Sequence, residues 1–169
     1  MMGITTIKVE KERDFYMSVE FITGDAFTTT MPAIGHGVNI YGMMGAGFAK
    51  VVATRYPQVL APYKQACRDK TLAPGLMQYV KVETAPDFYI LNLASQDKPG
   101  KHARLEWVES SMSAAFRFCK EQGLEGFAVP RIGANIGGLE WLDVKEVMES
   151  VAKKEDQIHL EIWSLPNAD

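Results

Sequence analysis

A three-layer α/β/α domain with a mixed central sheet is the fold class this sequence predicts, on three observations. Short apolar strand patterns alternate with helical ones; two strand patterns, over 76–82 and 88–93, lie close enough to form a hairpin; and two glycine-rich runs each stand between a strand and a helix. Strand–helix–strand units give parallel pairs and a hairpin gives an antiparallel one, so the sheet is mixed and helices cover both faces. With 169 residues, 47% hydrophobic and 23% charged, the chain has the length and balance of one domain that buries a core without staples.

Residues 1–14 alternate Ile4, Ile7 and Val9 with Thr and Lys before a charged cluster from Lys11 to Asp14, so 1–17 is read as an added edge strand or arm. Val19-Glu20-Phe21-Ile22 is a strand, ended by the turn signal of Thr23-Gly24-Asp25-Ala26-Phe27. A second apolar strand spans 33–40. Phe48, Val51, Val52 and Tyr56 then recur on one helix face, predicting a helix from near Gly45 that Pro57 stops. Residues 58–68 form a second helix with Leu60, Tyr63 and Cys67 on one face. After the hairpin comes a polar loop, Ala94-Ser95-Gln96-Asp97-Lys98-Pro99-Gly100, and a long helix from Lys101 to about Glu121, with Leu105, Val108, Met112, Phe116 and Cys119 at helical spacing and Gly123 as its stop. A strand at 126–129, a helix marked by Val144, Val147, Met148 and Val151, and a last strand over 158–163 complete the domain, leaving 166–169 as a tail.

Charge and composition narrow the function. The net charge of −3 supplies no global field for nucleic acid, and no basic groove interleaved with aromatics is present, so nonspecific nucleic-acid binding is not expected. No apolar run approaches the ~20 residues of a membrane span, and the N-terminus lacks a signal-peptide core. A cytoplasmic, monomeric protein is the expectation. Cys67 and Cys119, far apart on predicted helices, read as buried thiols, and no histidine or carboxylate cluster suggests a metal.

The first glycine run, Gly42-Met43-Met44-Gly45-Ala46-Gly47-Phe48-Ala49, opens into a helix, where the first N–H groups have no intrahelical partner and the dipole favours an anion. It is neither a P-loop nor a dinucleotide fingerprint, and a packing turn is the alternative. The second run, Pro130-Arg131-Ile132-Gly133-Ala134-Asn135-Ile136-Gly137-Gly138-Leu139, repeats the strand-to-helix placement. Two such loops suit a ligand with two phosphates. Asn135 suits a left-handed backbone position. Asp25 is a carboxylate at a strand's carboxyl end, where ligands of open sheets bind, or else a turn cap. His36 is either an acid–base group or a core histidine bonded to backbone. Met43 and Met44 read as wall residues or gap-fillers. His102 and His159 are taken as structural, and Trp141 as pinning a helix to the sheet.

Asp25, His36-Gly37-Val38-Asn39, Met44-Gly45-Ala46-Gly47-Phe48-Ala49, Asn92-Leu93 and Pro130-Arg131-Ile132-Gly133 with Leu139-Glu140-Trp141 occur in an order that resembles the macro domain family over residues 18–165. The likeness is to the branch with the yeast ADP-ribose-1″-phosphate phosphatase and the human terminal ADP-ribose protein glycohydrolase. It implies an ADP-ribose site without metal or cofactor. Asp25 would take the adenine amino group and the N–H of Ala26 the ring. Gly45, Ala46, Gly47 and Phe48 would hold one phosphate, with Met44 beside them in the ADP-ribose site. Gly133, Ala134, Asn135, Ile136 and Gly137 would hold the other and wrap the distal ribose, facing Asn39, with His36 and Asn39 as the catalytic candidates. Glycohydrolases of this branch carry an aspartate where this chain has Gly137, and a nucleophilic lysine near the end of the strand that here reads Ile90-Leu91-Asn92-Leu93. The implied function is therefore phosphatase-like processing at the distal ribose, with a non-catalytic reader of free or attached ADP-ribose as alternative and a DNA or protein glycohydrolase behind both.

Overall fold

The structure is a computed structural model that describes residues 19–155 and 157–166. Six strands form one sheet: β1 (Val19–Thr23), β2 (Ala33–Val38), β3 (Met77–Glu83), β4 (Phe88–Ala94), β5 (Gly126–Val129) and β6 (His159–Ser164), in the spatial order β1-β6-β5-β2-β4-β3. Every neighbouring pair is parallel except β3 with β4, the expected hairpin. Four helices cover it: α1 (Gly47–Arg55), α2 (Leu60–Arg68), α3 (Leu105–Gln122) and α4 (Trp141–Lys154). The three-layer α/β/α architecture with a mixed sheet is as the sequence predicts. The arm expected over 1–17 lies outside the described residues.

Two cores follow from the period-two alternation of strand side chains. Leu91, Leu93, Phe127 and Leu160 point into one, under α3 and α4 with Met112, Phe116 and Met148. Their strand neighbours Ile34, Ile90 and Ala128 point into the other, with Val52 of α1 and Tyr63 of α2. Burial on both faces explains why β5 reads as an unbroken apolar run and β4 as one interrupted only by Asn92, whereas edge strand β3 alternates half-buried with exposed residues.

Element boundaries depart from expectation where a side chain or loop bond intervenes. α1 begins at Gly47, not Gly45, because Ala46 is still extended (φ −147°, ψ 161°). The expected helix over 58–68 is preceded by a 3₁₀ turn, Pro57–Val59. α3 starts four residues later than its apolar spacing predicts. The Gln96 amide donates to the carbonyls of Lys98 and Gly100, and the amides of Ala103 and Arg104 donate to Gly137 O and Ser95 O, so 96–104 is held as a loop that contains His102. Gly123, at φ 68°, ends α3 as anticipated. Cys119 is buried, which pushes its thiol up to about 12, whereas Cys67 is only half-buried.

Candidate functional site

Because five strands run parallel, five carboxyl ends lie along one edge of the sheet. The chain leaves β2 toward β4 and leaves β5 toward β6, so adjacent β5 and β2 form a switch point, the place where open sheets leave a crevice. A cleft of about 800 Å³ lies across this edge. Its walls are the segments that follow β1, β6, β5, β2 and β4 in turn, and both glycine runs border it.

The first run owes its shape to Asn39. Its Oδ1 accepts from the N–H of Tyr41 (2.9 Å) and of Met43 (3.4 Å), and its Nδ2 donates to Met43 O (2.9 Å). The Tyr63 hydroxyl, from α2, donates to Asn39 O (2.7 Å) and lies 3.0 Å from Oδ1. With its amide so engaged, Asn39 borders the cleft chiefly as the clasp of the loop. The clasp also decides the methionines. Met43 is exposed on the cleft wall, while Met44 turns into the core below α1, so the placement of Met44 in the ligand site is corrected.

Beyond the clasp, the chain passes Gly45 and Ala46 into α1. The bond from Lys50 N–H to Ala46 O (3.3 Å) closes the first turn, and no side chain caps the amides of Gly47, Phe48 and Ala49 that precede it. These residues line the cleft, with donors that helix geometry leaves unpaired. Around Gly45 there is open space, with no heavy atom within 4 Å of where a Cβ would stand.

Facing it, the second run folds on itself through Leu139 N–H to Gly133 O (2.9 Å) and Gly138 N–H to Asn135 O (3.3 Å). Gly133, Asn135, Ile136 and Gly137 line the cleft, but Ala134 does not, its N–H being turned to Arg131 O (3.3 Å). Asn135 is not among the residues of positive φ, so the left-handed expectation is corrected. A Cβ at Gly137 would sit 2.7 Å from Gly133 O and 2.8 Å from Ala103 Cβ, so glycine is required there by closeness of backbone. Ile136 Cδ1 reaches within 2.7 Å of where a Gly47 Cβ would be, and Gly47 has φ 57°. The two loops thus meet across the cleft, and the left-handed φ at Gly47 favours glycine there.

At the β1 end, Asp25 Oδ1 accepts from Phe27 N–H (2.9 Å), capping a 3₁₀ turn over Ala26–Thr28. The turn-cap reading of Asp25 is therefore realised, and the residue lines the cleft with Ala26 beside it. Phe27 stacks on Phe48 (centroids 4.9 Å, planes 13° apart) with the Arg55 guanidinium over its ring at 4.7 Å, a wall absent from the sequence reading.

His36 is placed elsewhere. It is fully buried, facing α1 and α2, and does not line the cleft. The carbonyl of Pro62 can only accept, so Gln78 Nε2 donates to it (2.9 Å); Gln78 Oε1 then accepts from Asn92 Nδ2 (3.0 Å), and Asn92 Oδ1 from His36 Nε2–H (2.7 Å). That leaves Nδ1 unprotonated and without a partner. Burial lowers the His36 pKa to about 4, against the smaller raising effect of the Asn92 bond, so the ring is neutral at pH 7. The acid–base role expected of His36 at the distal ribose does not match this position.

Two further features are not legible in the sequence. Ser95, just past β4, has a buried hydroxyl without a hydrogen-bond partner on the cleft floor, 2.6 Å from where a Gly37 Cβ would be. Its signal was its place in the polar loop after a strand. Glu20, Glu161 and His159 offer ligand atoms within 4.8 Å of one another, correcting the expectation of no such cluster. Parallel register, Glu20 opposite Glu161, joins residues far apart in sequence. Glu161 accepts from Thr29 Oγ1 and from Trp163 Nε1 (3.1 Å), and His159 pairs with Glu20 at 3.3 Å, so these groups already answer one another. Trp141 opens α4 and packs on the core, as anticipated. Among the described residues no helix is long and apolar enough to cross a membrane.

Fold and cleft define an α/β domain with an elongated ligand groove over the carboxyl edge of its sheet. The chain belongs to the macro domain family, whose sequence model matches residues 35–148. It is 25% identical over 154 residues to a DNA ADP-ribosyl transferase–DNA ADP-ribosyl glycohydrolase fusion protein of Thermosipho africanus, a match covering 82% of this chain and 40% of the relative. It is 23% identical over 158 residues to the ADP-ribose 1″-phosphate phosphatase of Candida albicans, covering 86% of this chain and 98% of the relative. The chain thus spans about 40% of the length of the first of these. Among solved structures, the macrodomain of Mycobacterium tuberculosis DarG superposes with a TM-score of 0.79 at 25% identity, covering 86% of this chain and 96% of the other. Thermosipho africanus DarTG in complex with ADP-ribose gives 0.79 at 26%, covering 88% and 42%.

His36 generates a test of its own. Its folded pKa lies below the ordinary 6.5, so the unfolded chain binds the extra proton first, and the stability contributed is complete above pH 6.5 and lost as pH falls toward about 4. Within that window the slope is roughly 1.4 kcal/mol per pH unit. Melting temperatures between these limits should fall more steeply for the wild type than for His36→Gln. Parallel curves would mean the ring is not held neutral.

Proposed function

We propose that the cleft binds ADP-ribose, free or attached to a larger molecule. The observation that carries this reading is the pair of glycine loops at the switch point, with the uncapped first turn of α1 opening onto space at Gly45 and the second loop meeting it at Ile136. A pyrophosphate between them finds main-chain donors and a favourable helix dipole. Asp25, with one oxygen spent on Phe27, has the other for the adenine amino group, and the Phe27–Phe48–Arg55 stack walls that end. The distal ribose would lie toward Asn39, Ser95 and Gln96.

Catalysis at that ribose is the finer question. Among the described residues no lysine or histidine lines the cleft, and the one carboxylate that does, Asp25, stands at the opposite end. Of the processing reactions, removal of the 1″-phosphate is the one we favour, because this chain has Gly137 and Asn92-Leu93 where glycohydrolases of the branch it resembles carry an aspartate and a nucleophilic lysine. Incubation with ADP-ribose 1″-phosphate and with ADP-ribosylated DNA distinguishes the outcomes. Free ADP-ribose should appear from the first and not the second, and release from neither leaves a reader.

Gly45→Glu tests the binding reading. The site has room for a side chain and its φ is outside the left-handed region, so the variant should fold with an unchanged melting temperature. A carboxylate in the phosphate's place should weaken calorimetric ADP-ribose binding at least ~100-fold from a micromolar value. A folded variant that binds as well as wild type would sink the proposal.

Ser95→Ala tests the distal end. Deleting an unpartnered buried hydroxyl should leave stability unchanged or slightly raised, while costing ~0.5–1.5 kcal/mol of ADP-ribose affinity. Lower stability with intact affinity would make Ser95 a purely structural residue.

A further inference from the structure

Beside the β1 and β6 end of the cleft, on the face covered by α4, lies a second hollow of about 250 Å³. Thr23 and Ser164, at the ends of β1 and β6, border it together with Arg131 of the second loop and Lys145 of α4. Arg131 and Ser164 line the main cleft as well, so the two spaces share a wall.

Its two cations are unusually placed in a chain of net charge −3. Neither has a carboxylate within ion-pair distance among the described residues. Each lies over an aromatic ring instead: Arg131 Cζ is 4.7 Å from the Trp141 centroid, and Lys145 Nζ is 5.0 Å from that of Phe21. Arg131 Nε is buried with no hydrogen-bond partner. Ring faces offset only part of the hydration that a half-buried cation gives up, and two like charges at one hollow repel. An anion held between them removes both costs. The hollow is far smaller than a nucleotide pocket but ample for one phosphate. A guanidinium and an ammonium are also the groups that take phosphate best.

We propose that this hollow receives a phosphate carried on the adenosine-side ribose of the ligand in the cleft, gripped between Arg131 and Lys145. The inference rests on the ADP-ribose reading and on adenine lying at Asp25, which places the adenosine ribose beside Arg131 and Ser164. It makes the preferred ligand an ADP-ribose unit with a further phosphoryl substituent on its adenosine half. The site therefore discriminates at the end of the ligand opposite to any chemistry at the distal ribose.

Calorimetry on the full chain at low ionic strength should compare ADP-ribose with ADP-ribose phosphorylated at the adenosine 2′ or 3′ hydroxyl, each taken separately. Wild type should bind one phosphorylated form about tenfold more tightly, as charge-assisted hydrogen bonds give. Added salt should shrink that preference. Lys145→Gln, outside the main cleft, should abolish most of it while keeping the wild-type melting temperature and ADP-ribose affinity. Wild type that binds ADP-ribose but prefers neither phosphorylated form overturns the subsite alone, as does a Lys145→Gln variant that keeps the preference. Tightening of ADP-ribose binding by millimolar inorganic phosphate, without preference for the tethered group, assigns the hollow to a detached anion and equally overturns it. Wild type that binds none of the three overturns the ADP-ribose reading and the subsite together.

Discussion

Parallel pairing is the constraint from which the other features follow. A parallel strand must be reached by a crossover, and crossovers lay helices on the faces, so β2, β4, β5 and β6 are largely buried on both faces and mostly apolar, with His36, Asn92 and Glu161 as buried polar exceptions. The same pairing sends the carboxyl ends of five strands to one edge, where the chain has to leave the sheet. At the boundary between β5 and β2 the exits diverge, and the space between them is the cleft. The segments that line it are turns and the first turn of a helix, so main-chain groups border it alongside polar side chains such as Asp25, Ser95 and Asn135.

A groove bordered by main chain needs something else to hold its shape, and here that is a small number of buried polar side chains. Asn39 closes the loop after β2 on both its oxygen and its nitrogen, and Tyr63 ties that closure to α2. Burial pushes the Tyr63 phenol well above its ordinary range, so it stays a donor to Asn39 O. Each such bond contributes only ~1 kcal/mol net. Their joint effect is that the amides at Gly47 and Phe48 stand in position before any ligand arrives, which lowers the ordering cost of binding. Across the groove, close contact at Gly137 and Gly47 does the same work with steric exclusion in place of hydrogen bonds.

Local pattern carried most of the fold. Apolar alternation located the strands, the short spacer marked the β3–β4 pair as antiparallel, and Gly123 marked the end of α3. What local pattern could not carry was anything set by register or by a distant side chain. His36 and Asn39 are three residues apart, and nothing nearby distinguishes a ring that faces Asn92 under α1 from an amide at the edge of the cleft. The difference is the strand pleat and where β2 ends, at Val38. Glu20 and Glu161 become neighbours only through the β1–β6 register. The late start of α3 follows from amides given to Ser95 and Gly137, residues on two other segments. Met43 and Met44 read alike in the sequence, as wall residues or gap-fillers, and only the Asn39 clasp separates them, Met43 outward and Met44 into the core.

The distribution of charge around the groove constrains how any reaction there could proceed. Among the described residues the titratable groups that line it are Asp25, Arg55 and Arg131, and all lie toward the β1 side or above the first loop, while the β4 end offers an amide, a hydroxyl and glycine backbone. A general acid or base with a pKa near neutrality is therefore not supplied by side chains at that end, and His36, neutral and sealed beneath α1, cannot reach it. On the proposed reading, cleavage at the distal ribose would draw its proton transfers from the ligand's own phosphate oxygens and from water, with Ser95 as the buried hydroxyl able to fix that water. The protein's share is then positioning: main-chain donors pin the pyrophosphate, and the loop contact between Ile136 and Gly47 holds the ligand in line. Binding and turnover so arranged use the same contacts, and selectivity among ligands falls to the adenosine half, where the charged side chains are.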